Sequence, residues 1–295
     1  MKPIMKHFAG LHPAVQFLYF TSVILFSMFL MHPAFLLISL FCGFICSALL
    51  NPGKTAGFAL KVLLPLIVAM TVINPLINHS GATALLYIND NPITLEAVVY
   101  GAAAALMFAS VLLWFSCSNT VMTSDKVIEL FGGILPSLSL LFSMVLRFVP
   151  RFKAQAAVIA NAQKGIGRGA DSGNILTRAK NGMKILSMLT TWALENGVIT
   201  ADSMHARGYG LPKRSSFQRH HFDNRDKIFI LLLFVLIIAI FWGIHLGEMK
   251  VRYYPTIFVQ SVTPSAAGFY ALYFLLCAFP VWVGAAEEVT YHAGL

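Results

Sequence analysis

Six long apolar runs constrain the fold of this chain more than any other feature of its sequence. Each run holds 17 to 23 residues that are almost all hydrophobic, and an α-helix of that length can cross the roughly 30 Å hydrocarbon core of a bilayer. The runs cover residues 14–31, 34–50, 57–77, 95–117, 228–244 and 266–286. They predict an all-α polytopic membrane protein with about six transmembrane helices.

The composition agrees, because 58% of the residues are hydrophobic and only 11% are charged, whereas about a quarter are charged in soluble proteins. The net charge of +9 is local, since 15 of the 21 lysines and arginines lie in residues 126–227. Basic residues collect in cytoplasmic loops, so we interpret the charge as a sign of topology and expect no nucleic-acid partner. An even number of spans then places both termini in the cytoplasm of a cell-membrane protein. Lys54 agrees with this orientation, while Lys250 and Arg252 weakly oppose it.

These features divide the chain into three predicted parts. Residues 1–117 hold transmembrane helices 1–4, residues 118–226 form a charged cytoplasmic insertion with its own long helices, and residues 227–295 hold transmembrane helices 5 and 6. Before the fourth helix, Thr94 is predicted to cap the N-terminus and Glu96 to complement the helix dipole in the first turn.

Groups that could catalyse a reaction or drive coupled transport are missing from the predicted spans. A secondary transporter typically carries an ionisable residue near the bilayer midplane, but Lys61 and Glu96 lie near span ends. The glycine-rich segment 165–169 lacks the Gly-Lys-Ser/Thr ending of a phosphate-binding loop, so any ATP has to be bound by another chain. A self-sufficient transporter or channel, and less favourably a membrane-bound enzyme acting on lipids, are the alternatives.

The sequence also predicts no metal or other cofactor. The only histidine pair, His220-His221, is interpreted as part of a solvated basic loop. The four cysteines have no spacing typical of a zinc site or a disulfide framework and are expected to fill apolar helices: Cys42, Cys46, Cys117 and Cys277.

Within the charged insertion, helical spacing predicts three helices. The first begins at Ser124 and ends near Gly132, the second begins at Pro136 with a kink at Pro150, and the third covers about 183–205. One stripe of the second helix is apolar at three- and four-residue spacing: Val145, Phe148, Phe152, Ala156 and Ile159. On the third helix, small residues mark a face that another helix could cross: Thr190, Ala193, Gly197 and Ala201.

Two arginines in similar contexts flank this third helix. Arg168 lies between Gly167 and Gly169, and Arg207 lies in the sequence Ala206-Arg207-Gly208. Glycine ends a helix and leaves the guanidinium uncovered, and the planar fork of arginine suits a carboxylate or backbone acceptors in a pocket. We therefore predict that the two arginines dock the protein onto a partner; the alternative is a pair of loop charges near lipid headgroups.

The chain resembles the transmembrane T component of energy-coupling factor transporters over nearly its whole length. The resemblance is carried by Ala206-Arg207-Gly208, by the related Gly167-Arg168-Gly169, and by the run from Met122-Thr123-Ser124-Asp125-Lys126 to Arg147-Phe148-Val149-Pro150-Arg151-Phe152. The family has two Ala-Arg-Gly signatures, and here Gly167 replaces the first alanine, which we expect to loosen that helix end.

The resemblance implies a non-enzymatic coupling subunit with long cytoplasmic coupling helices. Such a subunit links two ABC-type ATPases to a small membrane S component that captures a vitamin or another micronutrient. If the roles of the family's two signatures apply to the matching residues here, the segment 167–169 with Arg168 would engage one ATPase. The segment 206–208 with Arg207 would engage the other. The transported substrate is chosen by the S component and is not specified by this chain.

Overall fold

The computed structural model describes residues 3–88, 91–132, 136–209, 222–247, 249–260 and 263–292. The chain forms two compact units, one of Met1–Val127 together with His220–Leu295 and one of Ile128–Arg219. The predicted pair His220-His221 lies outside the described residues. Each unit is described below by itself.

The first unit is an assembly of apolar helices. Its helices are α1 (Pro3–Gly10), α2 (Pro13–Phe29), α3 (Pro33–Leu50), α4 (Pro52–Phe58), α5 (Leu64–Ile77), α6 (Leu95–Val121), α10 (Asn224–His245) and α11 (Pro264–His292). A single π-helical segment, Ala59–Leu63, joins α4 to α5 without a break. Several of these helices begin at a proline, whose fixed φ and missing N–H suit the first helical position.

Among the described residues, five helical segments are long and apolar enough to cross a membrane: Pro33–Leu50, Pro52–Ile77, Leu95–Val121, Asn224–His245 and Pro264–Gly284. The helix α2 is apolar but has only 17 residues, or about 25 Å at 1.5 Å per residue. The prediction of an all-α polytopic membrane protein is confirmed. The third span begins at Pro52 rather than at residue 57, which places Lys61 inside the helical segment instead of near its end.

The core of the first unit is rich in aromatic rings and contains its own polar contacts. The Tyr19 hydroxyl donates to the Cys277 carbonyl at 3.0 Å, and the indole N–H of Trp114 donates to Ser39 Oγ at 2.9 Å. Both rings are fully buried. All four cysteines are free and buried, in agreement with the structural role predicted for them.

Two short antiparallel hairpins, which the sequence did not predict, lie at one end of this unit. The strands β1 (Ala84–Ile88) and β2 (Asn91–Thr94) form the first hairpin, and β3 (Val251–Arg252) and β4 (Phe258–Val259) form the second. Connections between these segments include the bond from Ala82 N–H to the Pro255 carbonyl at 3.1 Å. The hairpins satisfy backbone groups where the chain turns between helices.

The predicted start of α6 is confirmed at this same end. Thr94 Oγ1 accepts from the Ala97 N–H at 3.3 Å, as an N-cap does. The carboxylate of Glu96 is in the first turn and accepts from the Thr83 hydroxyl at 2.6 Å.

At the opposite end, a polar cluster of the buried Gln16 and the half-buried Lys126 ties four helices together. The Lys126 ammonium donates to the Ala9 carbonyl at 2.6 Å, to Gln16 Oε1 at 2.9 Å and to the Val121 carbonyl at 3.1 Å. The Gln16 amide in turn donates to the carbonyls of Phe8, Ala9 and Leu11. Lys126 lies in the first turn of α7 (Ser124–Gly132), so the beginning of α7 is fixed against the ends of α1 and α6 and the start of α2.

The second unit consists mainly of two long helices, α8 (Pro136–Gly165) and α9 (Ile175–Ala206). They are antiparallel, because Gln163 contacts Met188 near one end while Phe152 contacts Trp192 further along. The sequence correctly predicted that a helix begins at Pro136 and that α7 begins at Ser124. It was wrong about the start of α9, which lies eight residues before Met183.

The earlier start of α9 has a local cause. Asn174 is its N-cap, with the side-chain oxygen accepting from the Ile175 N–H at 2.8 Å. Arginine and lysine are good helix formers, and Arg178, Lys180 and Lys184 lie on the first turns of the helix.

Candidate functional site

The predicted docking residues lie at the two helix C-termini of the second unit. At the end of α9, Gly208 has a φ of +82°, and its N–H donates to the His205 carbonyl at 2.9 Å. The Tyr209 N–H donates to the Met204 carbonyl at 3.0 Å. This pair of bonds is a Schellman motif, in which Arg207 is the C-cap residue.

The end of α8 is closed by the same motif, but the arginine occupies a different position in it. Gly167 has a φ of +74°, its N–H donates to the Lys164 carbonyl at 3.0 Å, and the Arg168 N–H donates to the Gln163 carbonyl at 2.9 Å. Arg168 therefore follows the left-handed glycine, whereas Arg207 precedes it. The expectation of a looser helix end at Gly167 is not supported by this geometry, because glycine is the residue that a left-handed cap favours.

Both arginine side chains are exposed. Within the part of the chain that the structure describes, neither guanidinium has a hydrogen bond or an ion pair. Each arginine is held only through its backbone at a helix end, so all five N–H donors of its guanidinium remain available.

The loop that carries Arg168 is stabilised by side chains that sequence reasoning missed. The Lys164 ammonium pairs with Asp171 Oδ2 at 2.6 Å, the Asn181 amide donates to the Gly169 carbonyl at 3.0 Å, and Arg178 Nε donates to the Ala170 carbonyl at 3.1 Å. No pattern in the sequence identifies these partners, because they meet only after α9 folds back on α8.

The ion pair shifts the pKa values of both residues in the direction that favours their charged forms. Hydrogen bonding to Lys164 lowers the pKa of Asp171, and hydrogen bonding to Asp171 raises the pKa of Lys164. Gly169 lies beneath this pair and is buried. A Cβ atom there would stand 2.5 Å from Asp171 Oδ1, so any larger residue would have to displace the Asp171 carboxylate.

The two arginines lie at opposite ends of the antiparallel pair. Arg168 follows the end of α8, next to the start of α9, while Arg207 follows the far end of α9. The 32 residues of α9 extend about 48 Å at 1.5 Å per residue. The two guanidinium groups therefore cannot enter the same pocket, and each has to meet a different surface.

The helices pack through an aromatic cluster on the stripe predicted for α8. Phe152 and Trp192 meet edge to face at 5.4 Å between ring centroids, and the Arg151 guanidinium lies over the Trp192 ring and donates to Asn196 Oδ1 at 3.1 Å. The stripe is half-buried at Phe148, Phe152, Ala156 and Ile159, and it is exposed at Val145.

The small-residue face of α9 is not the face that α8 contacts. The hydrogen bonds and ring contacts with α8 involve Met188, Trp192 and Asn196. Ala193 is half-buried, but Thr190, Gly197 and Ala201 are exposed, and a Cβ atom at Gly197 would meet nothing within 4 Å. A helix-crossing role for this face therefore stays a prediction that concerns another chain.

Large apolar side chains of α9 remain uncovered. No residue of α9 is buried, and four of its aliphatic side chains are 60–69% exposed: Leu186, Leu194, Val198 and Ile199. Apolar exposure of this extent marks a surface that interacts with protein or membrane. Among the described residues, no group of three or more His, Cys, Asp or Glu side chains could hold a metal ion.

Comparison with known proteins shows the family of this chain. Residues 8–218 match the model of the family described as cobalt transport protein, CbiQ. The energy-coupling factor transporter transmembrane protein EcfT of Acidaminococcus fermentans is 29% identical over 218 residues, which cover 68% of this chain and 81% of that protein. The EcfT protein of Streptococcus thermophilus is 30% identical over 128 residues, which cover 43% of this chain and about half, 48%, of that protein. The EcfT protein of Lactococcus lactis is 26% identical over 205 residues, covering 64% of this chain and 76% of that relative.

The family match covers most of the chain, including α2 to α9 and both arginine segments. This chain therefore belongs to the cobalt transport protein family, and it is similar to the transmembrane T components of energy-coupling factor transporters.

Proposed function

We propose that this chain is the coupling subunit of an energy-coupling factor importer and catalyses no reaction itself. In this role it transmits the ATP-driven movement of two cytoplasmic ABC-type ATPases to a membrane S component that captures a vitamin or another micronutrient. The observation that carries the proposal is the second unit, where two long helices expose apolar side chains and end in two unpaired arginines. Such a unit requires partners to cover it.

The arginines provide two separate attachment points. A guanidinium donates in a fixed planar fork that matches carboxylates and backbone carbonyls, and the Schellman motifs hold each arginine at the tip of a helix. Because the two tips are about 48 Å apart along α9, the arrangement suits two ATPase subunits better than one. We assign Arg168 to one ATPase and Arg207 to the other.

The long helices provide the mechanical link. Hydrogen-bonded helices move as rigid rods over their length, so a displacement at either arginine is carried along α8 or α9. The exposed aliphatic residues of α9 and the small-residue face at Thr190, Gly197 and Ala201 are the surfaces that we assign to the S component or to a crossing helix. This topology requires the second unit and both chain termini to be cytoplasmic, as the basic residues of the insertion favour.

Copurification tests this proposal directly. The tagged chain should copurify with a pair of ATPases and a small hydrophobic subunit. We expect Arg168→Ala to lose one ATPase and Arg207→Ala the other, since removing one side of a buried charged contact costs about 2–5 kcal/mol. The double variant should reach the membrane at normal levels without supporting uptake.

The matched control is Lys180→Ala with Lys184→Ala, which removes two exposed charges from the same unit. This control should retain both ATPases and transport. Full transport by the double arginine variant would contradict the docking model. Transport of a solute by the chain alone in vesicles would contradict the coupling role itself.

A further inference from the structure

An apolar cleft of about 820 Å³ opens on the side of the first unit, between α3 and the helix that runs from α4 through the π-helical segment to α5. All of its lining residues are apolar, and they include Leu37, Phe41 and Phe44 of α3 and Ile67 and Val68 of α5. Its volume falls within the range of about 300–1,000 Å³ typical of small-molecule sites. The cleft lies along segments that are long and apolar enough to span the membrane, so its natural occupant is apolar.

This helix is attached to the rest of the unit near its two ends and, at its middle, by Leu63, which packs against Ala109 and Leu113 of α6. Near its start, Thr55 Oγ1 donates to the Ser47 carbonyl at 2.9 Å. Near its end, the Asn74 amide donates to the Ala97 carbonyl at 2.6 Å, and Gly101 allows close contact, since a Cβ there would lie 2.9 Å from Asn74 Cβ. Most of the helix is nevertheless uncovered, since only 6% of its apolar window is buried.

Two lysines stand on the helix that forms one wall of the cleft. Lys54 and Lys61 are both exposed, and within the described residues neither ammonium has a hydrogen bond or an ion pair. They are seven residues apart, which is two helical turns or about 10 Å. Lys61 lies seven residues, about two turns, before the lining residue Val68, so these two residues share one side of the helix. The lining residues Ala59 and Leu63 are two positions from Lys61 and face away from it, so Lys61 lies at the edge of this wall and not in its lining.

The direction of the two lysine side chains brings their ammonium groups towards the same depth in the membrane. Helical side chains lean towards the N-terminus of their helix, so the Lys61 chain extends back towards Lys54 and the membrane surface. Long lysine chains in membrane helices place their ammonium groups at the interface in this way. Lys61 also lies inside the π-helical segment Ala59–Leu63, and π-helical turns are frequent at functional sites.

We infer that this cleft binds an anionic phospholipid. The headgroup phosphate is held by the Lys54 and Lys61 ammonium groups, and an acyl chain lies in the cleft against Phe41, Ile67 and Val68. A transmembrane helix of a partner would fill the apolar space but would leave both cations unmatched, whereas an anionic lipid satisfies the cleft and the charges together. The inference does not depend on the proposed coupling role.

Native mass spectrometry of the delipidated full-length protein tests it, with phosphatidylglycerol and phosphatidylcholine of equal chain length as probes. The wild type should bind phosphatidylglycerol more tightly. The variant Lys54→Gln with Lys61→Gln should lose about thirtyfold of that affinity, at roughly fivefold for each basic residue near a lipid headgroup. The matched variant Lys180→Gln with Lys184→Gln should keep the preference.

A second measurement identifies the occupant in the membrane. A photoreactive benzoylphenylalanine in place of Phe41, which is 62% exposed, should crosslink to lipid. Crosslinking to a polypeptide instead would overturn the inference. Equal affinity for the two lipids, an unchanged preference in the Lys54 and Lys61 variant, or equally tight binding of glycerol phosphate without acyl chains would overturn it as well.

Discussion

The substitution Gly167→Ala tests whether backbone geometry or sequence pattern governs the first arginine segment. Alanine at this position would restore the Ala-Arg-Gly signature that the resemblance led us to look for, and on sequence grounds it should be harmless. The structure predicts the opposite, because Gly167 is the left-handed residue of the motif that closes α8, with a φ of +74°.

The expected magnitude follows from two opposing effects. A residue with a Cβ is destabilised by roughly 1–2 kcal/mol in the left-handed region. Replacing glycine also lowers the conformational entropy of the unfolded chain, which stabilises the folded state by about 0.4–1 kcal/mol. No atom lies within 4 Å of the added Cβ, so steric contact adds nothing. The closed helix end should therefore lose about 1 kcal/mol, which is close to a fivefold change in its opening equilibrium.

Gly197→Ala is the matched control, because it is the same change in the same unit. Gly197 lies within α9, its added Cβ also meets nothing within 4 Å, and alanine is favoured over glycine in a helix by about 0.8–1 kcal/mol. The two substitutions should thus have opposite signs.

Amide hydrogen exchange of the full-length protein in nanodiscs measures both effects. The amides of Gly167 and Arg168 donate the two bonds of the motif, and in Gly167→Ala they should exchange about fivefold faster. In Gly197→Ala the central amides of α9 should exchange more slowly by a similar factor. Unchanged or slower exchange at residues 167 and 168 in the first variant would refute the assignment of Gly167 as the cap.

Two further predictions concern the polar contacts of each unit. Lys126→Met removes three charge-assisted hydrogen bonds from the polar cluster, although the Ala9 carbonyl keeps its bond from the Gln16 amide, so thermal unfolding in detergent should show a loss of about 3 kcal/mol. Lys227→Met, which removes only an exposed contact to Asn224, should be nearly neutral, and equal losses in the two variants would contradict the role of the cluster. For the Lys164–Asp171 pair, the lowered pKa of Asp171 means that the contribution to loop stability is complete above the ordinary aspartate pKa, about 3.9, and is lost as the pH falls through the lower folded value. The amide resonances of residues 169–172 should therefore change below about pH 4 in the wild type and stay constant in Asp171→Asn, and the same titration in both proteins would argue against the ion pair.

Predictions from the sequence succeeded where local chemistry decides the structure. Apolar runs with few charges can fold only as helices in a bilayer, because backbone groups have no other partners there. Caps and prolines then set several boundaries, as Thr94 does for α6 and Pro136 does for α8. The start of α9 was missed because basic residues such as Arg178 and Lys180 occur both in loops and in helices, so they do not determine the conformation of the segment.

The site was predicted only in part for a similar reason. The sequence drew attention to Arg168 and Arg207 as a pair in like surroundings, and both are exposed at helix ends. It could not show that Arg168 follows its left-handed glycine while Arg207 precedes its own, since glycine stands on both sides of Arg168 and the residue type does not show which of the two has a positive φ. The loop contacts of Asn181 and Asp171 depend on α9 folding back along α8.

By itself, then, the sequence determined that the chain is a helical membrane protein with a basic insertion and two arginines at helix ends, because hydrophobicity, charge and glycine act locally. Only the tertiary structure decided which faces are covered. Trp192 packs against α8 while Gly197 faces open space, and Lys61 stands on the helix that forms one wall of an apolar cleft. These outcomes depend on how the helices cross and where they are attached to one another, which is a property of several distant segments at once.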